Sequence, residues 1–180
     1  MARYLFNKVL LAGATDSGTD ALLRLPPVGS FDKSTLATIG TSFAVANLQL
    51  AGVGEVTLEW WLLGGGERFR MMLPSYCDHA QGALVLFSLA DPRSLTEAKE
   101  WVATIQANTN NVPMILASDS CDIAEPDHPR KITAEVISDL VETRRLKEYV
   151  EISTATGEGV QEMYAKLAQY LVDDWKLHNS

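Results

Sequence analysis

Residues 13–20 read Gly-Ala-Thr-Asp-Ser-Gly-Thr-Asp, between an apolar run and a short amphipathic stretch. Two glycines framing such a turn let backbone N–H groups close around a phosphate. Phosphate chemistry there also needs a lysine to neutralise the β and γ charge, and a Ser or Thr hydroxyl to hold magnesium. Here the lysine position holds Thr19, the hydroxyl position holds Asp20, and Asp16 adds a further negative charge. Unit charges about 4 Å apart interact by about 4 kcal/mol at an effective dielectric near about 20. Losing one attraction and adding repulsion therefore costs an anion orders of magnitude in affinity, at about 1.4 kcal/mol per factor of ten. Two other readings of the turn stand beside this one. Asp20 can ligate a divalent cation, as carboxylates do, or the turn is a tight strand-to-helix connection with no ligand.

The elements that must position this turn alternate apolar strands with amphipathic segments, the sequence form of an α/β sheet. Residues 4–11 read as a first strand and 19–25 as a short helix that stops before Pro26-Pro27, since proline removes a donor and restricts its predecessor. Residues 28–40 read as a loop. Strands are expected at 41–50 and 53–62, joined near Gly52, with Val56, Leu58, Trp60 and Leu62 on one face and Glu55, Thr57, Glu59 and Trp61 on the other. Residues 83–89 and 112–117 are continuous apolar runs, typical of strands buried on both faces. Residues 94–108, 133–145 and 159–175 read as helices, the second with a Thr133 cap and an acidic first turn, and 149–153 as the last strand.

Five stretches in this order carry a family resemblance: 8–13 (KVLLAG), 38–43 (TIGTSF), 61–70 (WLLGGGERFR), 75–82 and 151–160. Across about residues 7–172 the chain resembles a small GTPase of the Rab type in the Ras superfamily. The resemblance implies a P-loop NTPase-like α/β fold: a six-stranded, mostly parallel sheet with helices on both faces, in one domain over 1–180 with its core at about 4–175. It also implies a site. Gly13, Gly18, Thr19 and Asp20 fall in the phosphate loop, Thr38 where the first switch holds magnesium and the γ-phosphate, and Gly65 where an N–H meets that phosphate. Asp122 falls where a carboxylate reads the base, and Ser153 in the last motif. The family's magnesium-supporting Asp is Leu62 here and its water-orienting Gln is Gly66. Of the base-reading N-K-x-D only Asp122 survives, in Asp119-Ser120-Cys121-Asp122, and the last motif, Ser153-Thr154-Ala155, lacks its lysine. A fold does not carry its function with it. Losses in every motif imply a pseudo-GTPase acting as a protein-interaction module, with Thr19, Asp20, Leu62 and Gly66 arguing against hydrolysis. No cofactor is expected. The alternative is an atypical GTPase in intracellular trafficking that binds GTP or GDP with magnesium and hydrolyses little or none.

What the family's frame retains is a surface. Phe43, Trp61 and Tyr76 match the positions of three aromatic residues through which Rab-type proteins bind effectors. Strand alternation puts Trp61 on the outward face, and exposed aromatics are good binding anchors. Packing of Phe43 and Tyr76 against a neighbouring helix or strand is the plainer explanation for those two.

Bulk composition narrows the rest. Of 180 residues 47% are hydrophobic and 21% charged, which sustains a packed core. A net charge of -8 argues against nucleic acid as a partner. Cys77 and Cys121 fit no metal or redox spacing and read as free thiols. No apolar run approaches about 20 residues, and neither end shows a lipidation signal, so the expectation is a cytoplasmic protein, or one recruited to membranes or a complex by a partner. His79, His128 and His178 have no ligand-spaced companions. Asp119, Asp122, Glu125 and Asp127 read as a solvated acidic loop rather than a metal site, and Trp101 and Trp175 as packing residues.

Overall fold

A computed structural model describes residues 2–14, 16–32, 39–64, 71–120 and 129–179. The elements in chain order are β1 (Ala2–Gly13), α1 (Thr19–Leu22), β2 (Val28–Asp32), β3 (Thr41–Leu50), β4 (Gly54–Leu63), α2 (Leu73–Cys77), β5 (Gly82–Ser88), α3 (Pro92–Ala107), β6 (Met114–Asp119), α4 (Ala134–Arg144), β7 (Glu148–Ile152) and α5 (Val160–His178). They form one seven-stranded sheet in the order β2-β3-β4-β1-β5-β6-β7. The β2–β3 and β3–β4 pairs are antiparallel and the rest parallel.

Each face of the sheet carries its own core. Leu22 and Leu23 at α1 join Val160, Met163, Tyr164, Leu167 and Leu171 of α5 on one face. Tyr76 and Cys77 of α2, Trp101, Val102 and Ile105 of α3, and Ile137 and Leu140 of α4 cover the other. Every residue of β5 and β6 is buried, as continuous apolar runs require when helices lie on both sides. In β4, Val56, Leu58, Trp60 and Leu62 are buried on one face, and the residues between them are half-buried.

Three expectations are corrected. The sheet has seven strands, not six, because residues 28–32 pair with β3 instead of looping. Pro26-Pro27 and Gly29 concealed that strand, while Val28 and Phe31 pack against the core and hold it. The helix expected over 19–25 is a single turn over Thr19–Leu22, continued by tighter bonds from Arg24 N–H to Ala21 C=O and from Leu25 N–H to Leu22 C=O. Thr133 occupies the cap position of α4, but its side chain makes no capping bond. The Glu135 carboxylate takes its own backbone N–H and the Thr133 hydroxyl instead, which holds its pKa below the usual carboxylate value.

Candidate functional site

The glycine turn lies at the carboxyl end of β1, fixed to β5 by the Ala14 N–H to Leu86 C=O bond (3.1 Å) and closed by the Ser17 N–H to Ala14 C=O bond (3.1 Å). Both framing glycines answer to packing inside the chain. A Cβ on Gly13 would collide with the Ser17 hydroxyl and sit 2.9 Å from the Thr19 methyl. Gly18 is left-handed (φ 89°), and a Cβ there would lie 2.6 Å from Asp119 Oδ2. Thr19 thus turns its methyl toward Gly13, at the position where the family's lysine stands. Asp16 also adopts a left-handed φ of 58°, a conformation Asp tolerates better than most residues.

Asp119 corrects the expectation of a solvated acidic loop. It ends β6, is 3% exposed, and binds the segment after β7. Its carboxylate accepts from Thr154 N–H at 3.0 Å and, in a short bond, from the Thr154 hydroxyl. Ser120 N–H donates to Ile152 C=O (2.7 Å), alongside. Ser153 is buried, and its backbone and hydroxyl serve its own turn: Gly157 N–H to Ser153 C=O is 2.7 Å, and Thr156 N–H to Ser153 Oγ is 3.3 Å. Beside them Ser118 Oγ lies 2.6 Å from the Tyr149 hydroxyl, which donates to Glu151 at 3.1 Å, and Glu151 pairs with Arg130 at 2.5 Å. Burial, foremost, pushes the Tyr149 phenol above its usual pKa. Thr38, Gly65, Gly66, Cys121, Asp122, Glu125, Asp127 and His128 lie outside the described residues.

A cleft of about 1350 Å³ opens at the glycine turn, between it, the end of β4 and α3. Asp16, Asp20, Glu97 and Glu100 line it over an apolar floor that includes Leu62, Leu73 and Trp101, and its described lining contains no Lys, Arg or His. Asp119, Ser120, Ser153 and Thr154 do not line it; among the described positions that the sequence marks out, the glycine turn with Thr19 and Asp20, and Leu62, do. Leu62 is 3% exposed and packs in the core. The described residues by themselves do not supply what a magnesium nucleotide needs. The phosphate end lacks a described cation, and α1 is one turn long, which leaves few aligned peptide dipoles behind the turn. Among the described residues no three His, Cys, Asp or Glu side chains gather as metal ligands. His79 and His178 are exposed, beside Asp78 and Asp174.

The three aromatic residues come together. The Phe43 and Trp61 rings, at paired positions of β3 and β4, meet edge to face with centroids 4.8 Å apart, and Trp61 lies 6.4 Å from Tyr76. Phe43 is 43% exposed and Trp61 half-buried, but Tyr76 is buried at 8%. The Tyr76 hydroxyl donates to Ile39 C=O in a short bond, with Met72 Sδ at 3.6 Å. Packing therefore accounts for Tyr76, as the plainer reading of the sequence had it, and leaves Phe43 and Trp61 as the accessible pair. Exposed Ile39, Met71 and Met72 adjoin them in the chain.

The sequence reading missed what supports Trp61. Lys8 Nζ sits 4.1 Å from the centre of a Trp61 ring and donates to Asp78 C=O at 2.9 Å. The β1 ladder is irregular between Phe6 and Val9, and there Asn7 C=O accepts from the Trp61 indole N–H at 3.2 Å. No residue pattern announces such a bulge. Behind it Cys77 is a buried free thiol whose pKa burial raises to about 11, with the Lys8 charge opposing.

This fold and the position of the glycine turn define a class that comparison with known proteins bears out. The chain belongs to the Ras family, whose model matches residues 8–173. Within it the similarity is Rab-like. The chain is 29% identical over 171 residues to Ras-related protein Rab-5B of Plasmodium falciparum (isolate 3D7), covering 94% of this chain and 79% of that protein. It is 29% identical over 164 residues to Ras-related protein Rab-34 of Rattus norvegicus, covering 90% of this chain and 62% of that protein. GTP-binding protein ypt2 of Schizosaccharomyces pombe (strain 972 / ATCC 24843) is 29% identical over 163 residues, covering 90% of this chain and 79% of its own length. Among the described residues no helix is long and apolar enough to cross a membrane.

Proposed function

We propose that this chain is a Rab-like pseudo-GTPase: a protein-interaction module in intracellular trafficking whose nucleotide binding and hydrolysis are lost or much weakened. The observation that carries this reading is the phosphate end of the cleft. Asp16, Thr19 and Asp20 stand around the glycine turn, and the described lining offers no cation. Phosphate binding in this fold rests on a lysine and a hydroxyl that these residues replace. The partner is a protein that docks on Phe43 and Trp61. The protein is cytoplasmic and reaches membranes or a complex through that partner.

A second reading rests on the retained left-handed Gly18 and the turn that frames it: guanine nucleotide with magnesium binds and is hydrolysed slowly or not at all. The nucleotide content of purified protein, released by heat and resolved by chromatography, decides between them. The first reading expects none. Stoichiometric GDP or GTP overturns it and supports the second.

A further inference from the structure

The seventh strand has a role that its position in the sheet points to. β3 (TSFAVANLQL) contains no charge, no proline and no glycine, and pairs with β4 along its whole length, from Thr41↔Leu63 to Leu50↔Gly54. Its other edge would be a bare row of N–H and C=O groups. Proteins protect such edges with charges, prolines, bulges or a covering segment, since a bare apolar edge templates pairing with another chain. β3 has none of the first three. β2 supplies the fourth, pairing Val28↔Ala46, Ser30↔Val45, Phe31↔Ala44 and Asp32↔Phe43. β2 is itself a poor template. It is five residues long, follows Pro26-Pro27, contains Gly29, and its ladder slips between Val28 and Ser30. The sheet thus ends on a blunt strand instead of a flat apolar one.

We propose that β2 is an intramolecular edge cap. It closes β3 to strand addition, and when it detaches, the exposed edge pairs antiparallel with β3 of a second copy. The groups that hold the cap, among the described residues, lie at its start and its middle. Val28 and Phe31 pack against the core, Arg24 lies 5.8 Å from the Phe31 ring centre, and Asn47 N–H donates to Pro27 C=O at 3.4 Å. The rest of the sheet does not depend on it, since β3 keeps its β4 ladder. The occupant is a second copy because the uncapped strand is uncharged and presents the same residues to itself, so two such edges meet without repulsion. A capped chain stays monomeric at this edge.

The test is sedimentation velocity across micromolar concentrations, with circular dichroism as the folding control. Wild type is expected to run as a monomer with respect to this edge. Val28→Asp/Phe31→Asp, which lifts the two anchors, is expected to stay folded and shift to a dimer. Adding Val45→Lys to that variant places like charges across the new pairing and is expected to return it to monomer. A folded, monomeric double variant overturns the proposal, as does association that Val45→Lys leaves unchanged. Should the double variant not fold, Phe31→Ala decides by hydrogen exchange. Amides of residues 43–46 that point to β2 exchanging faster than those bonded to β4 support a separable cap. Exchange of both sets only with the whole core overturns it.

Discussion

Asp119 and Thr154 lock the end of β6 to the segment after β7. One carboxylate accepts both the backbone N–H and the hydroxyl of one threonine, and is 3% exposed while doing so. A Cβ on Gly18 in the glycine turn would lie 2.6 Å from its Oδ2. Three segments far apart in sequence therefore meet at one buried carboxyl group. Asp119→Ala removes the acceptor and strands two donors, so it is expected to lose about 1–3 kcal/mol of stability. Asp119→Asn keeps one carbonyl acceptor and is expected to lose less. Urea unfolding of the two variants checks the order, and equal losses would count against the carboxylate as the link.

The same contact separates two glycines. Gly18 and Gly157 both have left-handed φ, 89° and 79°, but only Gly18 would carry its Cβ into a neighbour, and nothing lies within 4 Å at Gly157. Gly157→Ala is expected to cost only the backbone penalty, about 1–2 kcal/mol. Gly18→Ala is expected to cost more, because Asp119 must move as well. Thermal denaturation of the pair checks this, and a cost at Gly18 no larger than at Gly157 would sink it.

Ligand linkage tests the empty-site reading. A protein that binds a nucleotide only when folded is stabilised by RT ln(1 + [L]/Kd). This chain packs Leu62 into its core where the family has a magnesium-supporting Asp. It is therefore expected to be folded without ligand, and its Tm is expected not to move with added GTP or GDP and magnesium at micromolar concentration. Calorimetry under the same conditions is expected to show no heat. A sub-micromolar Kd, or a Tm that climbs steeply with the nucleotide, contradicts the pseudo-GTPase reading directly.

Alkaline pH reaches Cys77. Burial raises its thiol from the ordinary 9.0 to about 11. The folded state holds it neutral, so its contribution to stability is full below pH 9.0 and is lost as pH rises toward about 11. Wild type is expected to lose stability across that window more steeply than Cys77→Ala, measured by denaturant unfolding at several pH values. The comparison between the two proteins isolates the thiol from Tyr149 and Tyr164, which burial also raises. Parallel profiles would remove Cys77 from the account.

The sheet was legible wherever one period ran unbroken. Val56 to Leu62 alternated, residues 83–89 and 112–117 ran apolar, and the strands appeared there within two residues. β2 was not legible, because Pro26-Pro27 and Gly29 are turn signals locally and only Val28 and Phe31, meeting a core built by distant residues, override them. Asp119 looked like part of a charged loop for a related reason. Its neighbours Asp122, Glu125 and Asp127 are acidic, and nothing local says that Thr154, thirty-five positions on, provides its donors. The juxtaposition of Phe43, Trp61 and Tyr76 followed from the family pattern, but the burial of Tyr76 depended on Ile39 C=O being within reach of its hydroxyl.

The accessible aromatic pair sets the last expectation. Trp61 is held from several sides: Phe43 edge-on at 4.8 Å, Tyr76 at 6.4 Å, Lys8 at 4.1 Å from its ring centre, and Asn7 C=O on its indole N–H. A large ring fixed in advance loses little freedom on binding, which is the character of an interface hot spot. Trp61→Ala is expected to weaken the partner complex by about 2 kcal/mol or more. The fold is expected to survive, since Trp61 is half-buried and packs against the second core from its margin, whereas its neighbour Trp60 is fully buried at 1% exposure. Tyr76→Phe serves as the contrast. It keeps the buried ring and removes only the hydroxyl, with its contacts to Ile39 C=O and Met72 Sδ, so a docking surface made of Phe43 and Trp61 predicts little loss of binding. The measurement is recovery of partners from native extract by wild type and both variants, each with GDP or a non-hydrolysable GTP analogue. Recovery by wild type and Tyr76→Phe but not Trp61→Ala, the same with either nucleotide, is the expected result. Equal recovery by Trp61→Ala removes the pair from the interface. Recovery only with the analogue restores a nucleotide switch and counts against the pseudo-GTPase reading.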